Sequence, residues 1–113
     1  MTITKTYRLR KNKEFSKVYK VGKSFANWAL VVYLRENGLS YNRLGISVSK
    51  KVGKSVVRNR LRRLIKENYR NYIDEIKTGY DIIFIVRIAS KDANFYDMKK
   101  GMEKLLKRAS MFK

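Results

Sequence analysis

The 113-residue sequence contains no cysteine, no histidine and no proline, and only nine acidic residues. Without cysteine there is no disulfide framework and no thiolate metal site. Without histidine the chain lacks the usual general acid–base and the commonest metal ligand. The acids (Glu14, Glu36, Glu67, Asp74, Glu75, Asp81, Asp92, Asp97 and Glu103) are scattered, and no motif gathers them around a metal. Catalysis by this chain alone is therefore not expected, nor is a metal, cofactor or small-molecule substrate bound by it. No apolar run approaches the roughly 18 residues of a membrane span, and no signal peptide is visible. The expectation is a cytoplasmic protein with no membrane partner.

Positive charge is what the chain has in excess. Lysine and arginine number 28, giving a net charge of +19. Such a charge repels itself in the compact state and speeds association with polyanions. The length suits one domain, residues 1–113, built on a single core.

The sequence is organised around residues 44–63, LGISVSKKVGKSVVRNRLRR. Leu44, Ile46 and Val48 alternate with Gly45, Ser47 and Ser49, the pattern of a half-buried strand. Lys50, Lys51, Gly53 and Lys54 make a basic turn in which Gly53 supplies backbone freedom, and Ser55 suits an N-cap. From Val56 the period becomes helical. Val57, Leu61, Leu64, Ile65, Asn68 and Tyr72 share one arc of about 100°. Arg58, Arg62, Lys66, Asn59 and Arg63 follow around the adjoining arc, with Arg60 on the far flank.

A run of lysine and arginine is ordinarily a solvated helix face, supported by alternating acids. Here residues 50–70 hold nine bases (50, 51, 54, 58, 60, 62, 63, 66, 70) and one acid, Glu67. The like-charge pairs Arg58/Arg62 and Arg62/Lys66 each cost an isolated helix roughly 0.2–0.5 kcal/mol. A cationic face kept at that cost points to a polyanion, and nucleic acid fits better than an anionic membrane surface.

The rest of the chain reads as one α+β domain in the order helix–strand–strand–helix–strand–helix. Residues 1–11 form a basic extended arm. Asn12 caps a short helix presenting Phe15, Val18 and Tyr19 on one face, and Gly22 ends it. Residues 28–35 read as a strand with Trp28, Leu30, Val32 and Leu34 toward the core and Ala29, Val31, Tyr33 and Arg35 away from it. That strand and 44–49 are expected to pair antiparallel. The basic helix extends to about Ile76, and Thr78-Gly79 breaks the chain. IIFIVRI (82–88) reads as a strand buried on both faces. A last helix, about 95–109, turns Met98, Met102, Leu105, Leu106 and Ala109 inward.

The run SVSKKVGKSVVRNRLRRLIKE resembles the central motif of bacterial ribonuclease P protein subunits, with Arg58-Asn59-Arg60 matching an Arg-Asn-Arg core. YRLRKNKEFSKVYKVGKS and SFANWALVVY resemble the N-terminal half of that family, and the last helix its C-terminal one. The resemblance implies a four-stranded, mainly antiparallel sheet with flanking helices, similar to the second domain of ribosomal protein S5, with a left-handed βαβ crossover at the basic helix. Periodicity alone would favour the common right-handed crossover.

It also implies an RNA-binding subunit that assists a catalytic RNA in removing the 5′ leader of precursor tRNA, with Mg²⁺ required by the RNA-containing enzyme. Lys50, Lys51, Lys54, Arg58, Asn59, Arg60, Arg62, Arg63 and Lys66 would then meet the RNA subunit, supplying sequence-tolerant phosphate contacts. The second surface is the sheet face opposite the core, where Gly45, Ser47 and Ser49 leave room beside Val31 and Tyr33. Phe15, Tyr19 and Tyr33 map onto the aromatics that bind the leader in that family, and aromatic rings in a cationic groove stack single strands. Phe15 equally suits core packing under the sheet. A ribosomal RNA-binding protein of similar fold and a basic DNA-binding module are the other classes. The helix lacks the side-chain spacing of an obvious base reader.

Overall fold

Buried apolar side chains sort onto the two faces of one sheet. The computed structural model describes residues 6–113. The first five residues of the expected basic arm, including Lys5, lie outside the described residues. In chain order the elements are β1 (Thr6–Arg8), α1 (Asn12–Val21), β2 (Lys23–Ala26), β3 (Leu30–Glu36), β4 (Asn42–Ser47), α2 (Ser55–Tyr72), β5 (Tyr80–Val86) and α3 (Phe95–Arg108), with a single 3-10 turn at Ile88–Ser90.

The α+β architecture is as expected, but the sheet has five strands in the order β1-β4-β5-β3-β2. It is mixed: β1–β4 and β4–β5 are parallel, while β5–β3 and β3–β2 are antiparallel. The expected direct pairing of β3 with β4 is corrected by this order, because β5 lies between them. The reason is visible in β5 itself. Ile82, Ile83 and Phe84 are fully buried, and a strand apolar on both faces belongs in the middle of a sheet, with neighbours on both edges. The connection β4–α2–β5 joins adjacent parallel strands, which is why a whole helix separates them.

One face of the sheet packs against α2 and α3. Leu61, Ile65, Met98, Met102, Leu105 and Leu106 from those helices close on Leu30, Val32, Ile82 and Phe84. Each such side chain contributes roughly 1.5–3 kcal/mol relative to exposure. The other face holds a smaller cluster, Leu9, Val18 and Ile83, with Phe15, Tyr33 and Ile85 half-buried beside it. That cluster seats α1 over only part of the sheet and leaves the remainder open.

Several local expectations are corrected. Trp28 is half exposed and precedes β3 rather than pointing to the core. The Asn27 side-chain oxygen accepts from the Ala29 and Leu30 amides, both at 3.0 Å, so a turn occupies residues 27–29 and fully buried Ala29 takes the inward place. Lys11 rather than Asn12 precedes the first turn of α1, where the Glu14 carboxylate accepts the Lys11 amide at 3.1 Å. α2 ends at Tyr72, not Ile76.

Candidate nucleic-acid interface

The sorting of α2 into two faces matches its periodicity. Leu61, Ile65, Asn68, Tyr69 and Tyr72 are buried, and Val57 and Leu64 pack half-buried against the same core. Asn68 closes the seam to α3 by donating to the carbonyls of Leu64 and Phe95 at 3.0 and 3.2 Å. The other face carries exposed Asn59, Arg63 and Lys66, with Arg58 and Arg62 half exposed. Among the described residues, none of the cations between Lys50 and Arg70 forms an ion pair. Asn59 accepts from Arg62 at 3.2 Å and Ser55 accepts from Arg58 at 3.1 Å. Both arginines are thus steadied by neutral partners that leave their charge uncompensated.

The N-terminus of α2 is equally unneutralised. Lys54 is its capping residue, not Ser55, which is the first helical residue. No side chain caps its first-turn amides and no acid lies in that turn. Lys50, Lys51 and Lys54 are exposed around it, adding cations to the positive end of the helix dipole. Gly53 serves by smallness rather than by backbone freedom: a β-carbon there would stand 3.0 Å from the Val57 Cβ.

Arg60 departs from the expected set. Its guanidinium donates to the carbonyls of Ala93 at 2.8 Å and Lys91 at 2.5 Å. It therefore ties α2 to the segment leading into α3, and it is a tether where an outward RNA contact was expected.

The strand register assembles the second surface. Across β4, β5 and β3, Gly45 aligns with Ile83 and Tyr33, and Ser47 aligns with Ile85 and Val31. The Phe15 ring lies against Gly45, where a β-carbon would come within 2.7 Å of it. Phe15 is thus a packing residue that also walls the surface. Tyr19 meets Tyr33 edge to face with centroids 5.0 Å apart, and Phe15 follows at 6.4 Å. Partial burial of the Tyr19 phenol, with Tyr33 beside it, raises its pKa, so it stays a neutral donor at physiological pH. Ser49 lies exposed just past the end of β4, and its carbonyl accepts the Val52 amide in the basic turn at 3.1 Å.

Beside these residues lies an ionic network that composition could not show. Asp81, fully buried, pairs with Arg43 at 2.7 Å and Arg35 at 3.2 Å and accepts from the Asn37 amide at 3.0 Å. Arg43 reaches on to Glu14 of α1. Burial alone would raise the Asp81 pKa, but the hydrogen bonds from Arg43 and Asn37 and the two arginine charges hold it below the usual carboxylate value. The Glu14 carboxyl is also lowered, chiefly by the Lys11 amide. The network fixes α1 against the sheet and hence the position of Phe15 and Tyr19. Ile85, the floor between Ser47 and Val31, was likewise missed, because an unbroken apolar run does not reveal which residue lies under an uncovered face.

The family model described as Ribonuclease P matches residues 3–110. The chain is 57% identical over 112 residues to the ribonuclease P protein component of Clostridioides difficile strain 630, covering 98% of each. Among solved structures, the Staphylococcus aureus RNase P protein superposes with a TM-score of 0.89 at 42% identity, covering 96% of this chain and 100% of that one. The Thermotoga maritima RNase P protein gives 0.82 at 38% identity, covering 89% and 96%. A motif that fills α2, a fold shared across these structures and identity along nearly the whole length together place this chain in the family of bacterial ribonuclease P protein components, the RNA-binding subunits of that endoribonuclease.

Proposed function

We propose that this chain grips the ribonuclease P RNA through α2 and the turn before it, and holds the 5′ leader of precursor tRNA across the open sheet face beside α1. The observation that supports this most is the cationic face of α2, which forms no ion pair among the described residues and is backed by an apolar face packed on the core. Lys50, Lys51, Lys54, Arg58, Arg62, Arg63 and Lys66 supply phosphate contacts, Asn59 orients Arg62, and Arg60 holds the helix in place. Tyr19 and Tyr33 offer stacking planes above the Ser47–Ile85–Val31 row, with Phe15 as the adjoining wall. Hydrolysis is then carried by the RNA subunit and its Mg²⁺, and this chain binds and positions the RNAs. No helix among the described residues is long and apolar enough to cross a membrane. The proposed RNA partners imply a cytoplasmic location.

The test is reconstitution. With the RNA subunit and Mg²⁺ at low salt, the chain raises kcat/KM for precursor tRNA; alone it cleaves nothing. In the holoenzyme, Tyr33→Ala or Tyr19→Ala weakens precursor tRNA about five-fold or more, from roughly 1–3 kcal/mol per stacked base, and leaves mature tRNA unchanged. Equal losses for both tRNAs would remove the aromatics from the leader site. Cleavage by the chain without RNA would overturn the division of labour.

A further inference from the structure

A groove runs between edge strand β1 and the flank of α2, on the sheet face opposite the leader surface. Its volume is about 390 Å³. Leu44 and Ile46 of β4 and Ile73 beyond α2 line it, all half-buried. The Tyr69 hydroxyl hydrogen-bonds Thr6 Oγ1 at 2.8 Å, joining the helix to β1. Arg8 stands on one rim, and Arg62, Lys66 and Arg70 stand on the other. These last three are spaced i, i+4, i+8, so they climb the helix in steps of about 6 Å. No acid lines the groove, and none of its cations is ion-paired among the described residues.

An apolar floor beneath a purely cationic rim suits a group that is flat and apolar in the middle and anionic on both sides. A nucleotide base with its two flanking phosphates has that form. Phosphate alone would leave Leu44, Ile46 and Ile73 unused, and an apolar ligand alone would leave the rim uncompensated. Arg62 and Lys66 also belong to the cationic face of α2, so a strand lying on that face reaches the groove without a break. We infer that the groove between β1 and α2 receives one unstacked base of the RNA held by α2, its flanking phosphates engaged by Arg8 and by Arg62, Lys66 and Arg70. The inference rests on α2 being the RNA-facing element and adds a base pocket to what is otherwise a phosphate-binding surface.

The full chain, methyl-labelled with ¹³C and amide-labelled with ¹⁵N, is titrated with the RNA trinucleotide AAA and with the same trinucleotide lacking its central base. Both carry the same charge, so phosphate contacts are matched. The expected result is that AAA shifts the Leu44, Ile46 and Ile73 methyls with an affinity at least about five-fold tighter than the abasic analogue, while both shift the amides of residues 58–66. Shifted helix amides with silent groove methyls, or with methyls that respond equally to both, overturn the base pocket and leave the α2 reading standing. No shift at either place overturns both. The methyls of Val31 and Ile85 report separately on the leader surface, so stacking there is not mistaken for the groove.

Discussion

α2 and α3 lie on the same sheet face, and their first turns obey opposite rules. α3 opens with a capping box in which the Asn94 side chain accepts the Asp97 amide at 2.8 Å and Asp97 accepts the Asn94 amide at 3.0 Å. It has an acid in its first turn and Lys107 and Arg108 in its last, the charge order the helix dipole favours. α2 has no capping side chain and no first-turn acid, and it stacks like charges along one face. Both helices bury a continuous apolar face, so their tertiary anchoring is similar. What differs is the first turn: both outer faces stack like charges at i, i+4 spacing (Lys100, Lys104 and Arg108 on α3), but only α3 begins with a side-chain cap and an acid. α3 therefore complements its dipole at the N-terminus, whereas α2 leaves that positive end uncompensated and surrounded by lysines. The contacts between them run through Asn68 to the Phe95 carbonyl and through the Tyr72 hydroxyl to Glu103 at 3.0 Å. In this way the capped helix steadies the one proposed to bind RNA.

The largest expected effect breaks the contrast from the α2 side. Arg58→Glu with Arg62→Glu lowers affinity for the ribonuclease P RNA on the order of 100-fold or more, since like-charge placement at an interface costs several kcal/mol. The slope of log affinity against log salt flattens by about 0.7–0.9 for each lost phosphate contact. The matched reversal Lys100→Glu with Lys104→Glu on α3 leaves affinity within a few-fold. Filter binding across a salt series measures both, and equal losses would erase the distinction.

Next in size is Arg60→Ala. Losing two charge-assisted bonds, one part-buried to Ala93 and one exposed to Lys91, costs about 1.5–3 kcal/mol of stability, read as a lower denaturant midpoint at unchanged m-value. The salt slope for RNA binding stays at the wild-type value. A flattened slope with unaltered stability would return Arg60 to the set of RNA contacts.

A smaller effect comes from exchanging caps. Asn94→Ala costs about 1 kcal/mol without changing RNA affinity. Lys54→Asp gives α2 the cap it lacks and raises stability by about 0.5–1 kcal/mol, while weakening RNA binding. If Lys54→Asp tightened binding, the bare N-terminus of α2 would have no role at the interface.

The smallest effect is on acid stability. The folded pKa values of Glu14 and Asp81 lie below the ordinary ones. Their stabilisation is therefore fully present above the ordinary carboxylate range and is lost as pH falls below about 4 through the depressed values. Hydrogen exchange of α1 amides, held by the Glu14–Arg43–Asp81 chain, should accelerate there before that of α2, whose first turn depends on no carboxylate.

Much of this contrast was legible in the sequence, because helical periodicity is local. Leu61, Ile65, Asn68 and Tyr72 on α2, and Met98, Met102, Leu105 and Leu106 on α3, announce their buried faces by spacing alone. The family motif likewise marks α2. What escaped depends on partners distant in the chain. β1 and β2, of three and four residues, carry no alternation long enough to read and exist only through β4 and β3. Trp28 looked like a core residue until the Asn27 turn moved Ala29 into its place. Arg60 is indistinguishable from its arginine neighbours until the carbonyls of Lys91 and Ala93, 31 and 33 positions on, come beside it. For the proposed leader surface, the small residues of β4 were readable. Their alignment with Ile85 and Val31 needed the strand order, with β5 in the middle.

The absence of cysteine makes the most direct test simple, because any introduced thiol is unique. An iron chelate is attached to Arg63→Cys on α2 and, separately, to Lys100→Cys on α3, and each conjugate is bound to the ribonuclease P RNA under radical-generating conditions. Strong, localised strand cleavage is expected from residue 63 and little from residue 100. Cleavage from residue 100 that matched or exceeded that from residue 63 would contradict the claim that α2 is the face held against RNA.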